Sequence, residues 1–247
     1  MFGLIGYPLG HSRSAAIFNE KFVQEGIPFH SYHLFPLNDL KEFQPLVENH
    51  PDLIGLNVTV PYKEKIISFL DDLDETAQKV GAVNAILISR KGGRSYTRGY
   101  NTDVAGFLRS LPGSFPGLKA MVLGTGGAAK AVAYALGKLG IDPLFISRSV
   151  QNDNTITYPE ITKEIMDQYW LIINATPIGM YPETAVSPPI PYQFLTRDHF
   201  LYDLIYNPPQ TLFLKSGQDM GCQVMNGEKM LLFQADQSWE LFRHAIL

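Results

Sequence analysis

Apolar and polar positions along this chain switch repeatedly between a period of two and a period near 3.6, which predicts alternating strands and helices. The apolar run FGLIG (2–6), closed by Tyr7-Pro8, reads as a strand entering a turn. Ser12 and Ser14 can cap a helix that runs through Ile17, Phe18 and Phe22 to a stop at Gly26. HSYHLF (30–35) and LIGLNVTV (53–60) are strand-like, with a short helix from Asp39 to Glu48 between them. Pro61 stands where a first helical residue would be, and Lys63 to Leu70 has helical spacing. A second short helix is expected from Asp72 to Val80, ending at Gly81. AVNAILI (82–88) and SYTRGY (95–100) flank Lys91-Gly92-Gly93, a hairpin signal, and a helix over 101–108 follows with Asn101 or Thr102 as its cap.

The breaker-rich stretch LPGSFPG (111–117) is a candidate domain boundary. Beyond it, KAMVLG (119–124) is an apolar strand, and a helix runs from Ala128 to Leu139, ended by Gly140. LFIS (144–147), LIINAT (171–176), FLYDLIY (200–206) and CQVM (222–225) read as further strands. Helices are expected over 211–220 and 226–244, while 151–158 is polar and irregular and 182–192 is a proline-rich loop. Alternation with short connections predicts an α/β fold with a mostly parallel sheet.

Composition narrows the class. Of 247 residues, 45% are apolar and 18% charged, which makes this a core-forming globular chain. Lys and Arg number 20 against 24 Asp and Glu, and a net charge of −4 carries no footprint for nucleic acid or an anionic membrane. No apolar run approaches the roughly 18 residues of a membrane span. The N-terminus lacks the basic segment of a signal peptide, so the chain reads as cytoplasmic. The single cysteine, Cys222, excludes an internal disulfide framework and a thiolate zinc site. The closest histidines, His30 and His33, would point to opposite faces of a strand, so no metal site is expected.

Two regions carry candidate chemistry. Gly124-Thr125-Gly126-Gly127-Ala128-Ala129 is a G-x-G-x-x-A loop between a predicted strand and a predicted helix. Glycines there allow a tight turn and let backbone N–H groups approach a pyrophosphate at the positive helix end. The next strand ends in Ser147-Arg148-Ser149, where NAD-binding loops place an acidic residue for the ribose hydroxyls. An arginine between two hydroxyls favours the 2′-phosphate of NADP.

In the first half, His11-Ser12-Arg13-Ser14, Asn57 to Lys63, Val83-Asn84 and Asn101-Thr102-Asp103 are polar clusters at or beside strand-to-helix junctions. Each alone could be a cap or a turn. Together their hydroxyls, amides and carboxylate suit a small polyhydroxy acid. With Pro61 as the first helical residue, Lys63 falls at the third position, where the helix dipole disfavours a cation by a few tenths of a kcal/mol and favours the neutral amine. Asp103, opening its helix, gains from the dipole. An amine and a carboxylate sharing one substrate oxygen would form an acid–base pair.

These motifs, in this order, resemble the shikimate dehydrogenase family over nearly the whole chain. GYPLGHSRS (6–14), NVTVPYK (57–63), GAVNA (81–85), NTDVAGF (101–107), GTGGAAK (124–130), INATPIGM (173–180), YDLIYNP (202–208) and NGEKMLLFQA (226–235) carry the likeness. The resemblance implies two domains: an α/β substrate domain of 1–101 completed by 226–247, and a Rossmann domain of 102–225. It implies reversible reduction of 3-dehydroshikimate to shikimate with NADPH, in aromatic amino-acid biosynthesis. Lys63 would be the catalytic acid–base and Asp103 its partner. Ser12, Ser14, Thr59, Asn84, Tyr206 and Gln234 would bind substrate. Gly124, Thr125, Gly126, Gly127 and Ala128 would hold the pyrophosphate, Ser147, Arg148 and Ser149 the 2′-phosphate, and Thr176, Ile205 and Gly227 would lie along the nicotinamide end. The expected partner is a small molecule, and the expected assembly a monomer or homodimer. A quinate-accepting relative and a catalytically idle NADP-binding sensor are the competing readings. Three departures from the family pattern stand out: Ala15 and Phe18 replace a usual Pro and His, the helix expected after Arg148 is cut short with no basic residue between Ser149 and Lys163, and Lys130 stands where the family has Arg or Lys.

Overall fold

The computed structural model of the protein describes residues 1–10, 12–27, 29–113, 117–150 and 152–245. Of the readings above, His11, residues 114–116 of the boundary stretch and Gln151 therefore lie outside the described residues. The chain forms two compact units, Met1–Gly106 with Leu232–Leu247, and Phe107–Leu231.

The first unit contains β1 (Phe2–Gly6), α1 (Ser14–Gln24), β2 (Tyr32–Pro36), α2 (Phe43–Asn49), β3 (Gly55–Val58), β4 (Asp72–Leu73), α3 (Glu75–Val80), β5 (Ala85–Lys91), β6 (Arg94–Tyr100) and the start of α4 (Asp103–Ser110). Its strands run in the order β2-β1-β3-β5-β6-β4. The β1 pairings with β2 and β3 are parallel, but β5 and β6 form the expected hairpin and pair antiparallel, so this sheet is mixed. Successive β1 side chains serve opposite faces: Phe2 and Leu4 join a core with Phe18, Trp239 and Phe242, while Ile5 joins one with Phe43, Leu56 and Ile66.

The second unit contains β7 (Ala120–Leu123), α5 (Gly127–Lys138), β8 (Leu144–Ser147), β9 (Thr155–Thr157), α6 (Lys163–Met166), β10 (Leu171–Asn174), β11 (Phe200–Asp203), α7 (Leu212–Asp219), β12 (Gln223–Met225) and the start of α8 (Glu228–Arg243). Every pairing is parallel, in the order β12-β11-β10-β7-β8-β9. Counted within the unit this is the doubly wound order of a Rossmann domain, and strand order reverses between β7 and β10. Crevices for ligands lie at the carboxyl ends of such strands.

Four local expectations are corrected. Lys63 to Leu70 is not a helix: Lys63 lies in a turn and only Lys65–Phe69 coils, as 3-10. The carbonyl of Lys63, which an α-helix would turn toward its own fourth neighbour, accepts instead from Val83 N at 2.7 Å. Asp72 and Leu73 pair with β6, so α3 starts later, capped by Asp74, whose carboxylate accepts from Ala77 N at 2.8 Å. Within 151–158, Thr155–Thr157 adds a parallel edge strand to β8, and α6 was not foreseen. The first helical residue of α1 is Ser14 itself, with Arg13 at the cap position.

Candidate active site

Three of the four polar clusters of the first unit meet around one buried amide. Asn84, 2% exposed, precedes β5, and its backbone is fixed from both sides: Val58 N donates to its carbonyl and its own N donates to Tyr100 O. Its Nδ2 faces Thr102 Oγ1 at 2.9 Å, Asp103 Oδ1 at 2.9 Å and Gln234 Oε1 at 3.2 Å, while its Oδ1 accepts from Thr102 N at 2.6 Å. Asn101 caps α4, its Oδ1 accepting from Val104 N at 3.2 Å, which sets Asp103 in the first helical turn.

Lys63 and Asp103 do touch. Lys63 Nζ donates to Asp103 Oδ2 at 2.6 Å, with side chains 16% and 5% exposed. One carboxylate oxygen thus holds the ammonium and the other accepts from Asn84. A buried ion pair needs such further bonds, because desolvation of both charges opposes their attraction. The helix-dipole argument for Lys63 has no α-helix behind it. What singles this lysine out is the buried carboxylate and the small exposure of its side chain.

Of the remaining candidates, Ser12 and Ser14 adjoin each other at the start of α1, and a hydrogen-bonded chain begins at Tyr32. Ser14 N donates to Ser12 Oγ at 3.2 Å. Tyr32, pushed well above its usual range by burial, donates to Asn57 Oδ1 at 2.8 Å. Asn57 Nδ2 donates to Ser238 Oγ at 2.9 Å, and Ser238 lies 3.0 Å from Thr102 Oγ1. The run from Tyr32 to Lys63 is therefore continuous. Tyr32 and Ser238 were missed by sequence reasoning; Ser238 sits one helical turn after Gln234 on α8, a signal that was available. Thr59 closes the turn after β3, donating its N to Ile5 O and accepting from Tyr62 N, each at 2.9 Å.

In the second unit, Gly124 follows β7 at φ +101°, and a Cβ there would come within 3.0 Å of Thr176 Cγ2 and 3.4 Å of Ala175 O. A side chain would fill the mouth between β7 and β10, the reversal point of the sheet, so this is a cradle that only glycine leaves open. Gly126 is the cap residue of α5 and offers no side-chain cap, and the first turn of Gly127 and Ala128 carries no acid. Its N–H groups are suited to a phosphate. Thr125 is half-buried beside them. Ser147 ends β8, with Arg148 and Ser149 exposed just beyond. This donor set fits a dinucleotide with an additional phosphate, and no group of three or more His, Cys, Asp or Glu side chains suited to a metal occurs among the described residues.

Thr176, Ile205 and Gly227 also belong to this unit. Thr176 Oγ1 donates to Asn174 Oδ1 at 2.6 Å. Ile205 O accepts from Gly227 N at 3.0 Å, and a Cβ on Gly227 would collide with the Leu204 carbonyl. Tyr206, expected among the substrate ligands, lies in this second unit next to Ile205 and is half-buried.

Residues 4–86 match the model of the shikimate dehydrogenase substrate binding domain. The chain is 37% identical over 267 aligned positions to the shikimate dehydrogenase (NADP(+)) of Halothermothrix orenii, covering 97% of this chain and 89% of that protein. Among solved structures it is similar to shikimate dehydrogenase 1 of Peptoclostridium difficile, with 35% identity and a TM-score of 0.87 over 98% of this chain and 91% of that one. It is also similar to the Thermus thermophilus shikimate 5-dehydrogenase in complex with NADP(H) and shikimate, with 29% identity and a TM-score of 0.84 over 98% and 93%.

Proposed function

The chain belongs to the shikimate dehydrogenase family, and on that premise we propose that it interconverts 3-dehydroshikimate and shikimate with NADP, as a step of aromatic amino-acid biosynthesis. The observation that carries the mechanism is the 2.6 Å contact between Lys63 and Asp103. When bound, the nicotinamide supplies or accepts the hydride. Lys63 Nζ delivers a proton to the substrate oxygen during reduction and takes it back during oxidation. Asp103 stabilises the ammonium and aims it, and Asn84 keeps Asp103 from turning away. Ser12, Ser14, Thr59, Asn84, Tyr206 and Gln234 hold the hydroxyls and carboxylate of the substrate, a set of neutral donors and acceptors matched to a polyhydroxy acid. Gly124 to Ala128 receive the pyrophosphate, Arg148 with Ser147 and Ser149 the 2′-phosphate, and Thr176, Ile205 and Gly227 border the nicotinamide.

No helix among the described residues is long and apolar enough to cross a membrane. The reading includes a cytoplasmic monomer or homodimer, which size-exclusion chromatography with light scattering measures. The activity test is an absorbance assay of the purified protein with shikimate or quinate, each with NADP⁺ or NAD⁺. Turnover with shikimate and NADP⁺ above every other pair supports the proposal. Equal turnover with quinate overturns the substrate assignment, equal use of NAD⁺ the role of Arg148, and no turnover in protein that binds NADPH the enzymatic reading.

A further inference from the structure

Asp203 ends β11 and is fully buried. Three neutral groups donate to it: Thr211 Oγ1 to Oδ2 at 2.6 Å, and Ile205 N and Asn174 Nδ2 to Oδ1 at 3.1 and 3.0 Å. A carboxylate so placed without a cation is expensive to bury, and burial pushes its acid up to about 6. An apolar residue would close the core between β10 and β11 with less penalty. The bonds themselves show what the carboxylate does instead. Each of them ends on a segment leaving the carboxyl edge of the sheet.

Asn174 ends β10 and is also fully buried. With its Nδ2 held by Asp203, its Oδ1 must face the opposite way, where it accepts from Thr176 N at 3.1 Å and Thr176 Oγ1 at 2.6 Å. Thr176 Oγ1 in turn accepts from Ile178 N at 3.2 Å. Thr211 caps α7, its Oγ1 accepting from Leu214 N at 3.4 Å. One side chain therefore fixes the amide orientation of Asn174, the path of residues 176–178, the backbone of Ile205 and the entry to α7. Thr176 stands beside Gly124 at the mouth of the crevice, and Ile205 binds the turn at Gly227.

We infer that Asp203, acting through Asn174 and Thr211, is a positioning residue for the nicotinamide end of the cofactor site. This rests on the proposed function above. Asp203 touches no reacting atom. It needs to accept from Asn174 and Ile205, and the neutral amide of Asn can do so with its NH₂ turned to the Thr211 hydroxyl.

The test compares Asp203→Ala, Asp203→Asn and Thr211→Val in turnover of shikimate with NADP⁺ and in calorimetric affinity for adenosine 2′,5′-bisphosphate, which lacks the nicotinamide. For Asp203→Ala, kcat is expected to fall at least about tenfold with fragment affinity held within about twofold, since misplacement of a reacting group acts on rate. Asp203→Asn is expected to restore kcat to within about threefold of wild type, and Thr211→Val to show the same split in weaker form. The inference is overturned if Asp203→Ala leaves kcat unchanged, if fragment affinity falls in step with kcat, or if Asn is no better than Ala. Should Asp203→Ala fail to fold, Thr211→Val decides by the same split. Wild-type turnover in the same assay separates the two levels: its absence overturns the proposed function, whereas normal wild-type turnover with an indifferent Asp203→Ala overturns only the positioning role.

Discussion

Replacing Asn84 by Ala removes the amide on which three of the first unit's polar clusters meet. Thr102 N, in a residue 1% exposed, loses the acceptor at 2.6 Å, and Asp103 Oδ1, in a residue 4% exposed, loses its donor at 2.9 Å. A buried donor or acceptor left unmade costs about 1–3 kcal/mol, more at a charged group. Water entering the vacated volume returns part of this, so a net loss of about 3 kcal/mol is expected. Two-state unfolding is not the rule for a chain of two compact units, so the reporter must be local. The chain has two tryptophans: Trp239, 1% exposed in the first unit, and Trp170 in the second. In a Trp170→Phe background, urea unfolding followed by fluorescence reads the first unit alone. Asn84→Asp sharpens the test, because it keeps an acceptor for Thr102 N but sets a second carboxylate against Asp103, a repulsion that eases as pH falls. A loss below about 1 kcal/mol for Asn84→Ala, or no pH dependence for Asn84→Asp, would refute the account of Asn84 as a buried junction.

Three further outcomes are expected. Lys63→Ala should lower kcat by about 10²–10⁴, the scale of general acid–base catalysis, with NADPH affinity unchanged by titration; full activity would remove Lys63 from the mechanism. Gly227→Ala forces the turn away from the Leu204 carbonyl, and a loss of about 3 kcal/mol is expected in thermal unfolding, together with a raised KM for NADPH; wild-type values for both would show that the turn has room. The acid of Asp203 rises from 3.8 to about 6 on folding, so the folded state holds the proton more tightly. Its contribution to stability is then complete below about pH 4 and lost as pH rises through 6, roughly 3 kcal/mol in all. Hydrogen exchange in 171–174 and 200–203 should lose protection over that window in the wild type and less so in Asp203→Asn; identical pH profiles would contradict the shift.

What could be read from the sequence was whatever short-range pattern decides. β7, the glycine loop and α5 follow from an apolar run, three glycines and a helical period, and the Gly92-Gly93 turn from two glycines between strands. Lys63 and Asp103 were paired by chemistry and family resemblance; no spacing announced that they would lie 2.6 Å apart. Contacts of long range were not legible. Tyr32 meets Asn57 across 25 residues and Ser238 meets Asn57 across 181, and neither residue type advertises such a partner. Asp203 lies within the YDLIYNP motif, but only the fold shows it to be buried. The turn at Lys63 went astray because a tertiary bond from Val83 N claims a carbonyl that local propensity would have kept for a helix.

The last helix has a consequence for how the molecule is made. The first unit is built from both ends of the described chain: Ala235, Trp239 and Phe242 of α8 fill the core around Phe2, Phe18 and Phe22, and Gln234 and Ser238 close the polar junction. A ribosome delivers the chain from its N-terminus, and domains ordinarily mature in that order. Here the sequence of maturation is inverted. The uninterrupted second unit has all its strands as soon as Met225 is released, whereas the first waits, its aromatic face uncovered, until α8 arrives. A stalled or truncated product lacking α8 therefore exposes Phe2, Phe18 and Phe22 and carries Lys63 and Asp103 without the side chains that complete their surroundings.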